Sequence, residues 1–142
     1  MEMGTGAQAA ELQAGQASLG DIAQVTATAD ALALIAKLAN KHGPLMFHQS
    51  GGCCDGSAPM CFAQGDMIVG EHDRRLGFIG GAPFYISESQ FEYWKHTQLI
   101  IDVVPGRGGM FSLEGPEGLR FLTRSRLFTD DEIARLSAQG RL

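Results

Sequence analysis

The chain has 142 residues, 44% of them apolar and 19% charged, with a formal net charge of −5 and a pI near 5.2. That length is one domain's worth and can bury a core without staples. The acidity argues against sequence-independent nucleic-acid binding and against attraction to anionic membranes, and no apolar run approaches the roughly 18 residues that cross a bilayer.

Residues 1–26 are rich in Ala, Gly and Gln, with no sustained apolar stripe and no basic start. They read as a flexible arm rather than a secretory signal. The folded domain is expected over 27–142. It opens with "TATADALALIAKLANKHG", where Ala31, Leu34, Ile35 and Leu38 recur at helical spacing, Asp30 sits in the first turn and Gly43 is placed to cap the end. Short strands are expected next, in "PLMFHQS", "MCFAQ", "DMIVGE" and "RLGFIGG". "SESQFEYWKH" places Gln90 three residues after Ser87, a capping-box spacing for a short helix. "TQLIIDVVPG" is β-branched and apolar on both faces, which predicts a central strand. "PGRGG" is a turn, "MFSLEG" and "LRFLTRS" are further strands, and "TDDEIARL" closes the chain as a helix with Thr129 and Glu132 in capping-box positions. No internal repeat is visible. This order predicts a single α+β domain with largely antiparallel sheet.

All three cysteines fall in "FHQSGGCCDGSAPMC", residues 47–61. If the strands ending at Ser50 and starting near Met60 pair as a hairpin, the loop brings Cys53 and Cys54 near Cys61, with His48 at its rim. Together these supply up to four N/S ligands, the number a closed zinc site uses. No C-x-x-C pair is present, so adjacent cysteines would share an ion only with backbone geometry that Gly51, Gly52 and Gly56 permit. Thiol chemistry is the second reading. A Cys53–Cys54 bridge is strained and labile, Cys54–Cys61 is easier across a hairpin, and backbone N–H groups of the loop favour a thiolate that Asp55 opposes. The third is that the cysteines only pack, as free cysteine commonly does. The thiols themselves, too few for a disulfide framework, fit a cytoplasmic protein in which they stay reduced.

"GPLMFHQSGGCCDGSAPMC", "GGAPFYIS" and "QFEYWKHTQLIIDVVPGRGGMFSLEGPEGLRFLTRSRLF" resemble the bacterial domain of unknown function numbered seven-seven-nine, over about residues 28–136. Members are often encoded beside acetaldehyde dehydrogenase genes, so the resemblance implies a small accessory protein with an aldehyde dehydrogenase as partner. A second resemblance is to HesB-like A-type iron–sulfur carriers. It rests on a helix, then a strand running into the "GGC" of Gly51, Gly52 and Cys53, then the strand-turn segment from Leu99 to Gly118. It implies a HesB-like fold. Those carriers place a further "CGC" near their C-terminus, whereas no cysteine follows Cys61 here, so their iron–sulfur ligation does not carry over as a set. A single transition metal (zinc, iron or copper) on a shared scaffold is the form the resemblance leaves.

Elsewhere, Arg107 sits in the "PGRGG" turn, either presented to a carboxylate or simply solvated. Arg120, Arg124 and Arg126 share a strand face, as a partner surface or a solvated edge. Phe91, Tyr93, Trp94 and His96 cluster on one short helix, as core or as interface anchors. His42 and His72 read as solvated. The expected role is thus an accessory protein that is not itself an enzyme, without nucleic acid or membrane, and with self-association open. The alternatives are a small metal- or cysteine-dependent enzyme acting on small carbonyl compounds, or an interaction domain with structural cysteines.

Overall fold

The computed structural model describes residues 22–49, 57–106 and 112–142. Its architecture is α+β, with three α-helices and two mostly antiparallel sheets. A first strand β1 (Val25–Ala27) leads into helix α1 (Ala29–His42), and β2 (Leu45–Gln49) and β3 (Met60–Ala63) follow. Then come β4 (Asp73–Ile79), β5 (Ala82–Ser87), α2 (Glu88–Trp94), β6 (Thr97–Pro105), a 3-10 turn (Gly115–Glu117), β7 (Leu119–Leu127) and α3 (Asp130–Ala138). Among the described residues, no helix is long and apolar enough to cross a membrane.

Helix α1 begins where Thr28 turns its hydroxyl to the Ala31 N–H at 3.2 Å and donates to Asp102 Oδ1 on β6 at 2.9 Å. One residue therefore caps the helix and ties it to a sheet. Its buried stripe is Ala31, Leu34, Ile35 and Leu38. Gly43, at φ +83°, ends it by donating to Ala39 O at 2.8 Å. At the other end of the chain, Thr129 and Glu132 form both bonds of the capping box that starts α3.

The three-stranded sheet runs β1-β6-β7 and the four-stranded sheet β3-β2-β5-β4, with β1/β6 and β2/β5 as the parallel pairs. The expectation that "TQLIIDVVPG" is central holds, because β6 lies between β1 and β7 with Leu99 and Ile101 fully buried. The core lies where both sheets meet α1 and α2. Phe47, Phe84 and Ile86 come from the larger sheet, Leu99, Ile101 and Phe121 from the smaller, Ile35 and Leu38 from α1, and Phe91 from α2. Each such side chain contributes about 1.5–3 kcal/mol on burial.

Several sequence expectations change. "DMIVGE" is not a strand: residues 66–67 bend, 68–70 are irregular and 71 enters a turn, with Ile68 and Val69 exposed and joined to no sheet. In "MFSLEG", residues 110–111 lie outside the described residues and Ser112–Glu114 turn into the 3-10 segment, because their side chains bond across to other strands. Residues 22–26, assigned to the arm from sequence, belong to the fold: Ile22 and Val25 are buried, and Val25 lies opposite Leu99. "APFYIS" is a strand that sequence reading passed over. The hairpin into it turns on Gly80 and Gly81, at φ +56° and +82°, as a two-residue hairpin loop requires. A Cβ on Gly80 would lie 2.9 Å from Ile35 Cγ2. Gly80→Ala is therefore expected to destabilise the protein by more than about 1 kcal/mol, read as a lowered urea midpoint at unchanged slope.

The arginine face of β7 is largely engaged within the protein. Arg124 pairs with Asp102 at 2.8 Å, and Arg126 grips both oxygens of Glu132 at 3.0 Å. On α2, Phe91 and Trp94 are core, whereas Tyr93 faces solvent.

Candidate functional site

Strand β2 carries the chain into the cysteine loop, and all five of its residues are buried. Alternation puts Leu45, Phe47 and Gln49 on one face and Met46 and His48 on the other. The core face is defined by Phe47, which stacks on Phe84 and meets Phe121 edge-on at 5.0 Å. Gln49 is on that same face yet fully buried, so its amide must be satisfied inside. Its Oε1 accepts from the Thr123 hydroxyl at 2.8 Å, and its Nε2 donates to Ser57 Oγ at 3.1 Å. The Thr123 N–H also donates to Ser57 O at 2.7 Å. Gln49 and Ser57 are the last and first described residues around 50–56, so one threonine of β7 pins both stems of the cysteine loop. Cys53, Cys54 and Asp55 lie within that segment and Arg107 within 107–111, outside the described residues.

A second buried polar group sits beside Cys61. The Cys61 N–H donates to Ser112 Oγ at 2.8 Å, and Cys61 O accepts from Leu113 N at 3.0 Å. Ser112 in turn donates to Glu114, a fully buried carboxylate whose other oxygen accepts from Phe121 N at 3.1 Å. These bonds fasten the segment after 107–111 to β3 and β7.

The two candidate ligands within the described residues part company here. Cys61 lies opposite Phe47 and is fully buried in the core, while His48 lies opposite Met60 on the other face of the ladder. Residues directly opposite share a face, so the Cys61 thiol and the His48 ring are on opposite sides of the sheet. Burial first, and the nearby Glu114 second, push the Cys61 thiol up to about 12. It behaves as a packed apolar group rather than a ready thiolate. In a chain with Cys53→Ser and Cys54→Ser, the one remaining thiol is expected to ignore Ellman's reagent at pH 8 and to react fully once the protein is unfolded. The thiolate fraction at that pH is about one in ten thousand.

His48 is 3% exposed, and its Nε2 lies 2.7 Å from Asp73 Oδ1 on β4. Asp73 is fixed in turn by Gly70 N on Oδ2 at 2.8 Å. Desolvation acts to raise the Asp73 carboxyl, but the hydrogen bonds from Gly70 and His48 hold it below the ordinary carboxylate range. An acceptor on Nε2 makes that nitrogen the N–H donor, and in the neutral ring Nδ1 then carries the lone pair. Nδ1 is buried and has no hydrogen-bond partner among the described residues. Leaving such an acceptor unmet costs about 1–3 kcal/mol, so it is a position that wants a donor or a cation. Sequence reading named His48 for its closeness to the loop; it missed Asp73, 25 residues away, which only the β2-β5-β4 order brings near. Among the described residues, no group of three or more His, Cys, Asp or Glu side chains could hold a metal ion.

The family model described as "Domain of unknown function (DUF779)" matches residues 34–127, well over half of the chain. The chain belongs to this family. Strands β2 to β7, with the cysteine loop and the His48–Asp73 pair, fall inside the match, whereas β1 and α3 lie outside it. No curated protein and no solved structure matches the chain significantly.

Proposed function

We propose that this domain is a small bacterial accessory protein of an aldehyde (acetaldehyde) dehydrogenase, carrying one transition metal (zinc, iron or copper) on His48 and on thiolates of the Cys53–Cys54 loop. The observation that carries the metal reading is the buried Nδ1 of His48, which has no hydrogen-bond partner among the described residues, in a ring whose other nitrogen is held by Asp73. A metal-bound histidine characteristically gives its second nitrogen to a carboxylate, which fixes the tautomer and raises the ligand's basicity. Soft thiolates next in sequence complete a donor set suited to those metals. Cys61 is left out of this set, since its thiol is in the core on the other face.

The dehydrogenase link and the HesB-like likeness rest on the sequence resemblances. For the latter, the order of α1, then β2, then the "GGC" loop is favourable support. The test is elemental analysis of the protein purified without a histidine tag, with thiols counted on the same sample, followed by size-exclusion chromatography with an acetaldehyde dehydrogenase from the same source. About one metal per chain, lost in Cys53→Ser/Cys54→Ser, together with co-elution, is the expected result. Absence of metal with titratable thiols throughout would remove the metal reading. Separate elution would remove the partner. An interaction domain with structural cysteines is the second reading, favoured by the packing of Cys61. It requires that co-elution survive replacement of the loop cysteines.

A further inference from the structure

His48 Nδ1 is buried and has no hydrogen-bond partner among the described residues, and the strand register fixes which side chains stand beside the ring. Directly across the antiparallel ladder, on β3, is Met60. Across the parallel ladder, on β5, is Tyr85. Met46, two residues back along β2, shares the same face and lies opposite Phe62. Cβ atoms of directly opposed residues start about 5 Å apart, within reach of a long side chain. Met60 is half-buried and is the first residue of β3, at the end of the ladder where the stems of the cysteine loop stand. Asp73, the carboxylate bonded to the ring, is engaged on the other nitrogen, Nε2.

A thioether next to an open imidazole nitrogen discriminates among metals. Zinc takes its ligands from thiolate, imidazole and carboxylate. The methionine sulfur is uncharged and soft, a donor that suits copper(I) and adds little for a divalent ion. Burial works in the same direction, since burying a single positive charge costs less than burying two.

We propose that Met60 selects the metal of this centre: its thioether sulfur joins His48 Nδ1 on the ion and makes copper(I) the preferred metal over zinc(II). This rests on the His48 centre proposed above and narrows its candidate metals to one. Met46, farther from the loop end of the ladder, is a packing residue.

Competition with bicinchoninate under anaerobic, reducing conditions measures the copper(I) affinity of the full chain. Competition with a zinc-binding dye measures its zinc(II) affinity. Met60→Leu keeps the volume and apolar character of the side chain and removes the sulfur. In it, copper(I) affinity is expected to fall at least about 10-fold, the low end of what losing even a ligand's outer partner does. Zinc(II) affinity in that variant, and copper(I) affinity in Met46→Leu, should be unchanged. NMR of protein isotope-labelled at the methionine methyls gives a readout that needs no variant. The Met60 methyl resonance should shift with one equivalent of copper(I) and stay in place with zinc(II). Copper(I) affinity unchanged in folded Met60→Leu, or a Met60 methyl that copper(I) leaves in place, overturns the role of Met60. Zinc(II) affinity that falls in parallel, or an equal loss in Met46→Leu, overturns the selectivity. His48→Ala separates the two readings. If it loses copper(I) while Met60→Leu does not, the His48 centre stands and only this inference falls. If it binds copper(I) as wild type does, both fall.

Discussion

Asp73→Asn is expected to lower the protein's affinity for a divalent transition metal about 10- to 100-fold, and His48→Ala to lower it further. In the wild type, Asp73 accepts from His48 Nε2 and is itself held by Gly70 N, so the ring is oriented before any ion arrives. Asparagine keeps the shape but can turn its NH2 toward Nε2, which then no longer needs to carry the proton. Nδ1 takes it instead and loses its lone pair. The two variants differ in a second respect. His48→Ala also removes a buried ring and leaves the Asp73 oxygen unmatched, so part of its effect is on stability; Asp73→Asn isolates the orientation. Competition with a chromophoric chelator gives both affinities, and thermal unfolding of the metal-free proteins separates the two contributions. The pH dependence follows from the direction of the Asp73 shift. Its carboxyl is held below the ordinary 3.8, so the stability it contributes is present above that value and is lost as pH falls through the lower folded value. Asp73→Asn should therefore flatten the acid limb of the stability curve.

The largest effect on folding is expected from Phe47→Ala, at about 3–5 kcal/mol. Phe47 is fully buried, stacks on Phe84 at 6.0 Å within its own sheet and meets Phe121 of the other sheet at 5.0 Å. The truncation empties the place where the two sheets touch and removes two ring contacts beyond the area lost. At about 2–4 °C per kcal/mol for a chain of this size, the melting temperature should fall by roughly 10 °C. Phe47→Leu, which fills most of the space, should recover more than half of that. Differential scanning calorimetry measures both. An alanine variant that melts within a degree or two of wild type would mean that the sheets are held together elsewhere.

Elements whose signals are local were legible in the sequence. The α1 stripe, the Thr129–Glu132 capping box and the doubly apolar β6 each depend on residues a few positions apart, and each forms as expected. The β5 strand carries an equally local signal: a Gly-Gly pair followed by strict alternation of Ala82, Phe84 and Ile86 inward is a hairpin signature. Three-residue β1 has too few positions for a period and exists through its pairing with β6.

The site was half legible. Clustered cysteines and a nearby histidine single out one segment of the sequence, but residue types do not state a register. Once Phe47 is known to oppose Cys61, His48 must face the other way. The bonds that hold the loop stems join residues far apart in sequence, as between Gln49 and Thr123, 74 positions distant. A buried glutamine and threonine look like surface residues until the fold supplies their partners.

Cobalt(II) titration of the metal-free, untagged protein, followed by absorption, tests the metal centre most directly. The account predicts a thiolate-to-cobalt charge-transfer band that saturates at about one equivalent, with a markedly weaker titration in His48→Ala and an intermediate one in Asp73→Asn. A titration without that band, or one identical in wild type and His48→Ala, would contradict a metal centre built from the His48 ring and the loop thiolates.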